Sequence, residues 1–212
     1  MGRIGKTVSL VLALVILVTG VFIYAKTRIP QLSEAELRER GVLILPRPKE
    51  IDPFLLEDDS DDGFTKADLL GKWSFLFFGF THCPDICPTS MAEMGKAMVA
   101  LGEAEREVKH PFQGVLISVD PYRDTPEQVI AYARVFASSF TGATGSRSAL
   151  TELSQQVNVV FNRVPDGQSG LTVEHTGNIV IINPHGHYCG LIKLPHRAET
   201  IRLTYQSLAA RF

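Results

Sequence analysis

Two kinds of apolar run organise the chain. The first is a single long stretch near the N-terminus, and the second is a series of short runs that begins at residue 73. Residues 7–25 carry no charge and are mostly Val, Leu, Ile and Ala. That matches the roughly 20 residues a membrane-spanning helix needs and exceeds the roughly 7–15 of a signal-peptide core. The end of the run, Phe22-Ile-Tyr-Ala-Lys26, offers no small-x-small cleavage site. The pattern predicts an uncleaved transmembrane anchor over 7–25. Arg3 and Lys6 before it and Lys26 and Arg28 after it are too evenly balanced to set its orientation. A tail as short as 1–6 most simply stays in the cytoplasm, which puts the rest of the chain outside.

Residues 26–50 read as a linker with one short helix: Ser33-Glu-Ala-Glu36 is a capping-box pattern, Gly41 a stop, and Pro46 and Pro48 stiffen the approach to the domain. The domain is expected over 51–212. A first short strand is expected at 54–56. The acidic run Glu57-Asp-Asp-Ser-Asp-Asp62 lacks the ligand spacing of a calcium loop and reads as a solvated turn. Residues 73–80 are almost continuously apolar, the sign of a strand buried on both faces. Met91, Met94, Met98 and Leu101 then recur at helical spacing, which core packing alone requires. A second strand is expected over 112–119. Thr125 caps a helix with Pro126 at its first position and Val129, Tyr132, Ala133 and Phe136 on its apolar face. Ser148 is expected to cap a shorter helix, followed by a strand at 159–164, a turn at 165–170 and a third apolar strand at 178–182. Residues 183–186 turn the chain, 188–194 pair back, and 197–212 form a closing helix. Strands joined first by helices and then by a tight hairpin make an α/β fold: a mixed sheet flanked by helices.

The chain has 212 residues and a formal charge of -2. This balance gives no basic face for nucleic acid. Three cysteines, Cys83, Cys87 and Cys189, are too few for a disulfide-stapled scaffold. Cys83 and Cys87 stand four positions apart in the loop after the first central strand, each followed by proline. Open α/β sheets place their sites at that strand end. Proline disfavours helical geometry in the residue before it. Cys87 is therefore expected at the helix N-cap with Pro88 at the first helical position, where the helix dipole would lower its thiol below the usual value of about 8.5. The pair can close as a disulfide or chelate a soft metal; two structural thiols would sit poorly in a polar, proline-bearing loop.

A further ligand must come from His82, His110, His175, His185, His187 or His196. His175 stands in the loop Thr172-Val-Glu-His-Thr-Gly177 just before the third apolar strand, and that loop lies beside the cysteines if the strand runs antiparallel to the first. A satisfied histidine at a strand start fits that position equally well. His82 is expected to point away from Cys83. His187 and Cys189, two apart on one strand, form a possible second metal pair, although exposed hairpin residues are the plainer reading. Two Cys and one His suit either copper or zinc. Structural zinc normally closes four ligands, and three open ones suit transfer better than storage.

Phe78-Gly-Phe-Thr-His-Cys-Pro-Asp-Ile-Cys-Pro88 resembles the signature of the SCO/SenC family, the copper chaperones of cytochrome c oxidase assembly. Phe64-Thr-Lys-Ala-Asp-Leu-Leu-Gly-Lys-Trp73, Ser118-Val-Asp-Pro-Tyr-Arg-Asp-Thr-Pro126, Val173-Glu-His-Thr176 and Ile182-Asn-Pro-His-Gly186 are similar to its other blocks, in the same order. Glu174 stands where many members have Asp. The resemblance implies a thioredoxin-like fold anchored on the outer face of the bacterial inner membrane, in the periplasm, or at the mitochondrial equivalent. It implies copper held by Cys83, Cys87 and His175 and delivered to the CuA site of cytochrome c oxidase subunit II. Another copper donor or a thiol reductant would complete the partners. The alternative is a thiol-disulfide oxidoreductase in which Cys83 and Cys87 are the redox-active pair. Against it stand the C-x3-C spacing and the lack of a proline in Val173-Glu-His-Thr176, so an enzyme is not the leading expectation.

Overall fold

The computed structural model describes residues 2–27, 31–102, 109–165 and 171–212. They form two compact units, Met1–Gln31 and Leu32–Phe212. The first is helix α1 (Arg3–Thr27), whose Leu10, Val11, Leu14, Ile16 and Leu17 are all largely exposed. Its described side chains run unbroken only over 7–22. Among the described residues, therefore, no helix is long and apolar enough to cross a membrane.

The second unit opens with α2 (Glu34–Glu39). The expected capping box is present: Ser33 Oγ accepts the Glu36 N–H, and the Glu36 carboxylate accepts the Ser33 N–H at 2.8 Å. The chain continues through β1 (Val42–Glu50), β2 (Leu55–Leu56), β3 (Phe64–Thr65), β4 (Trp73–Gly79), α3 (Ile86–Leu101), β5 (Phe112–Ser118), α4 (Pro126–Phe136) and β6 (Thr141–Ala143). It closes with α5 (Arg147–Gln156), β7 (Phe161–Pro165), β8 (Leu171–His175), β9 (Ile179–Ile182), β10 (His187–Ile192) and α6 (Ala198–Ala209).

The main sheet is six-stranded in the order β1-β10-β9-β4-β5-β6. β4, β5 and β6 are parallel, and β9, β10 and β1 join antiparallel. The expected mixed sheet with helices packed against it is what forms. All seven residues of β4 are buried, because β5 and β9 flank it on both sides and helices cover it. Buried Met91, Met94 and Met98 sit in the core, as packing spacing implied.

Three expectations are corrected. Residues 42–50 are not linker: they form the edge strand β1, paired with β10 from Val42↔Ile192 to Glu50↔His187. The pairing lapses between Ile44 and Lys49, which accommodates Pro46 and Pro48 without a ladder N–H. The α5 cap is Ser146, whose Oγ accepts the Ala149 N–H, rather than Ser148. Residues 172–175 are not a loop: they belong to β8, which pairs with β7 in a separate two-stranded ribbon. Most of the turn expected at 165–170 lies outside the described residues.

β1 lies close over Gly190, where an added Cβ would stand 2.4 Å from the Leu43 carbonyl oxygen. Gly190→Ala is expected to destabilise the domain by about 1–3 kcal/mol in denaturant unfolding, the usual cost of overpacking. An unchanged midpoint would show that β1 does not pack there.

Candidate metal centre

β4 delivers the chain to the site. Its last residue, Gly79, accepts the Val119 N–H at 2.8 Å, which ties the ends of β4 and β5 together. The loop beyond it is held by Asp124, a carboxylate only 2 % exposed. Asp124 accepts the Thr81 N–H at 2.8 Å, the Thr81 hydroxyl at 2.6 Å and the Ser118 hydroxyl at 2.6 Å. Asp120, also buried, accepts from Arg123 Nε and lies 3.6 Å from Arg163 Nη2. Arg163 belongs to β7, and its guanidinium covers the Tyr122 ring at 4.3 Å. Opposite Phe161 of the same strand stands His175. One aspartate thus secures the cysteine loop, and the other holds the ribbon that carries the histidine. Neither stands out among the sequence candidates; two acids flanking Pro-Tyr-Arg just after a buried strand were the available signal.

These elements bring Cys83 Sγ, Cys87 Sγ and a His175 ring nitrogen within 4.8 Å of one another. Three ligands on one ion lie about 4 Å apart or less, given bonds of roughly 2.0–2.3 Å, so small rotamer changes suffice for chelation. His175 Nε2 is 3.7 Å from Cys87 Sγ, while Nδ1 lies 3.3 Å from the Thr176 carbonyl oxygen. That carbonyl can only accept, so Nδ1 carries the proton and Nε2 turns its lone pair to the sulfurs. Phe77 and Phe80 meet the ring at 5.8 and 6.0 Å, in edge geometry. Gly79 makes the sulfur's space: a Cβ there would stand 2.9 Å from Cys87 Sγ and 3.0 Å from the Phe77 ring.

The role expected of Cys87 falls to Cys83. The helix begins at Ile86 with Asp85 as N-cap, so Cys87 lies inside the first turn and Pro88 comes after it. Pro88 is tolerated there because N–H groups of the first turn have no intrahelical partner. Cys83 Sγ receives the helix-terminal N–H of Cys87 at 3.4 Å. Its thiol is lowered to about 3, first by the bond from the Cys87 thiol and then by the Asp85 and Cys87 N–H groups, against the cost of burial. Cys87 is fully buried, and its proton serves the Cys83 sulfur, which together with burial pushes its thiol up. The donor field of the helix start therefore acts on Cys83, not on Cys87.

The other candidates lie elsewhere. His82 turns its Nδ1 toward Asp124 Oδ1 at 3.3 Å and stays outside the cluster. His196 is buried with both nitrogens engaged, by Ser90 Oγ at 2.8 Å and the Ile192 carbonyl at 3.2 Å. His110 Nδ1 lies 3.1 Å from the Gly71 carbonyl. His185 lies in the β9–β10 turn and His187 opens β10, at the opposite end of β4, where Ser74 pairs with Ile182. Cys189 donates to the Ile181 carbonyl at 3.4 Å, and burial pushes its thiol up to about 12. Among the described residues, neither the His187–Cys189 pair nor the acidic run joins a three-ligand cluster.

Two outcomes are expected. In the metal-free protein, alkylation followed by mass spectrometry should label Cys83 well below pH 7 while Cys87 stays unlabelled; equal labelling with an ordinary thiol midpoint would contradict the assignment. A depressed thiol pKa stabilises the fold above its unfolded value, and this contribution is lost as pH falls toward about 3. Gly79→Ala should displace Cys87 Sγ and weaken metal binding by roughly 10-fold or more, the scale seen when ligand support is lost. Unchanged affinity would remove Gly79 from the site's support.

The sequence model described as SCO1/SenC matches residues 45–210. A relative in Stutzerimonas stutzeri named for copper binding is 36% identical over 168 residues, 79% of this chain and 81% of that protein. The mitochondrial SCO2 homolog of Homo sapiens is 36% identical over 149 residues, 70% of this chain but only 55% of that longer protein. The copper-bound crystal structure of Arabidopsis thaliana ScoI aligns with a TM-score of 0.69 at 28% identity, covering 76% of this chain and 98% of that one. Family match, fold and the placement of the C-x3-C loop agree: the chain belongs to the SCO1/SenC family.

Proposed function

We propose that this chain binds copper through Cys83 Sγ, Cys87 Sγ and His175 Nε2 and delivers it to the CuA site of cytochrome c oxidase subunit II. The observation that carries the reading is the convergence of two sulfurs and one imidazole nitrogen, from segments far apart in sequence, within 4.8 Å. Thiolates favour Cu(I), and imidazole also suits Cu(II). Three ligands with one side toward solvent leave a coordination position for an incoming ligand from the recipient. Copper in the Arabidopsis relative supports the choice of metal. The apolar run at 7–25 would hold the chain in the bacterial inner membrane, with 1–6 in the cytoplasm and the metal-binding domain in the periplasm. A copper donor upstream is then required.

A second reading uses the same residues. A Cys83 thiolate beside a protonated Cys87 is the arrangement of an attacking thiol and its resolving partner. Cys83 would attack a disulfide in the recipient, Cys87 would displace the mixed disulfide, and the recipient would leave with two thiols. The resulting Cys83–Cys87 disulfide would need a thiol reductant to reset it.

The full chain, reduced and anaerobic, is expected to take up one copper per chain and to lose it to a subunit II CuA fragment, monitored by CuA absorbance. His175→Ala should weaken Cu(II) binding by roughly 100-fold. Undiminished binding would remove His175 from the site. Recipient thiols released without copper transfer would favour the redox reading instead.

A further inference from the structure

His82 precedes Cys83 but stands apart from the three-ligand cluster, and the hydrogen bonds around it define its state. Thr81 Oγ1 donates its single proton to Asp124 Oδ1 at 2.6 Å. Toward His82 Nδ1, 3.0 Å away, that oxygen can therefore only accept. Asp124 Oδ1, 3.3 Å from the same nitrogen, is also an acceptor. Nδ1 must carry the ring proton, so in the neutral ring Nε2 holds a lone pair. The anchor is firm, because Asp124 is buried and also takes the Thr81 N–H and the Ser118 hydroxyl. The His82 side chain, by contrast, is 54% exposed. A carboxylate behind one ring nitrogen, with the other left as a lone pair, is how proteins present histidines to metal ions.

The placement supplies a role. Cys87 is fully buried and Cys83 half-buried, so an ion reaches or leaves the cluster from the Cys83 side. An ion moving through that opening must exchange ligands stepwise, and each uncoordinated stage is costly. We propose that His82 Nε2 is an auxiliary copper ligand at the mouth of the site, taking the ion before Cys83 does and releasing it after. This rests on the copper reading above. The exchange is of ligands alone: the ion keeps its oxidation state, and no bond other than metal–ligand bonds forms or breaks.

The test is stopped-flow copper uptake by the reduced full chain from a weak copper chelate, with equilibrium affinity measured separately. His82→Ala and His82→Phe, which keeps a ring but no nitrogen, are expected to slow uptake roughly tenfold and leave affinity within about twofold, the reverse of what loss of a resident ligand does. Circular dichroism and thermal melting of the metal-free variants should match the parent. In the parent, the His82 Nε2 nitrogen-15 resonance should move when Ag(I) is added beyond one equivalent. Uptake at the parental rate in both variants would overturn the proposal. A large affinity loss at unchanged uptake rate would overturn it too, because His82 would then be a resident ligand. An immobile Nε2 resonance would likewise count against it. If the parent takes up no copper at all, the copper reading itself fails; parental uptake unaffected by the substitutions sinks only the role of His82.

Discussion

A carboxylate removed from water must find donors, and the site is built on two that do. Asp124 gathers donors from Thr81, Ser118 and His82, so the loop leaving β4 has one conformation in which its polar groups are paired. Asp120, beside it in sequence, faces Arg123 and Arg163. Because Arg163 lies on the ribbon that carries His175, the loop after β5 links both halves of the ligand set. Removing the arginine partners of Asp120 would leave a buried charge unpartnered, typically a loss of about 3–5 kcal/mol.

On that frame the chemistry arises from unequal environments. Cys83 and Cys87 have the same side chain, yet Cys83 accepts hydrogen bonds at a helix start while Cys87 is sealed under β4. The first ionises easily and the second holds its proton. A metal ion replaces that shared proton, which is why such pairs bind soft cations and why binding releases protons. Gly79 and the edges of Phe77 and Phe80 shape the volume in which this happens.

Much of this was legible in sequence, for physical reasons. The 73–80 run announced a central strand because a strand buried on both faces cannot alternate polarity. Thr125 followed by Pro126 announced the start of α4, and the structure adds a capping box with Gln128. His175 stood out through its block and its position before β9. Other features were hidden. Pro46 and Pro48 made β1 look like linker, because ladder pairing and proline conflict except at an edge or a lapse in register. β8 alternates only over Leu171-Thr-Val-Glu174, too short a run to be told from loop. Ser146 and Ser148 are equivalent caps on paper, and only the Ala149 N–H decides between them. The lowered thiol is Cys83 and not Cys87 because the helix starts two residues earlier than Pro88 suggested.

Copper K-edge X-ray absorption on the loaded chain tests the central claim most directly, because it counts ligand types at the metal. Two sulfur scatterers and one imidazole nitrogen are expected, with the nitrogen lost in His175→Ala and sulfur lost in Cys83→Ser or Cys87→Ser. A spectrum without sulfur, or one unchanged by all three substitutions, would contradict a copper site built from these residues.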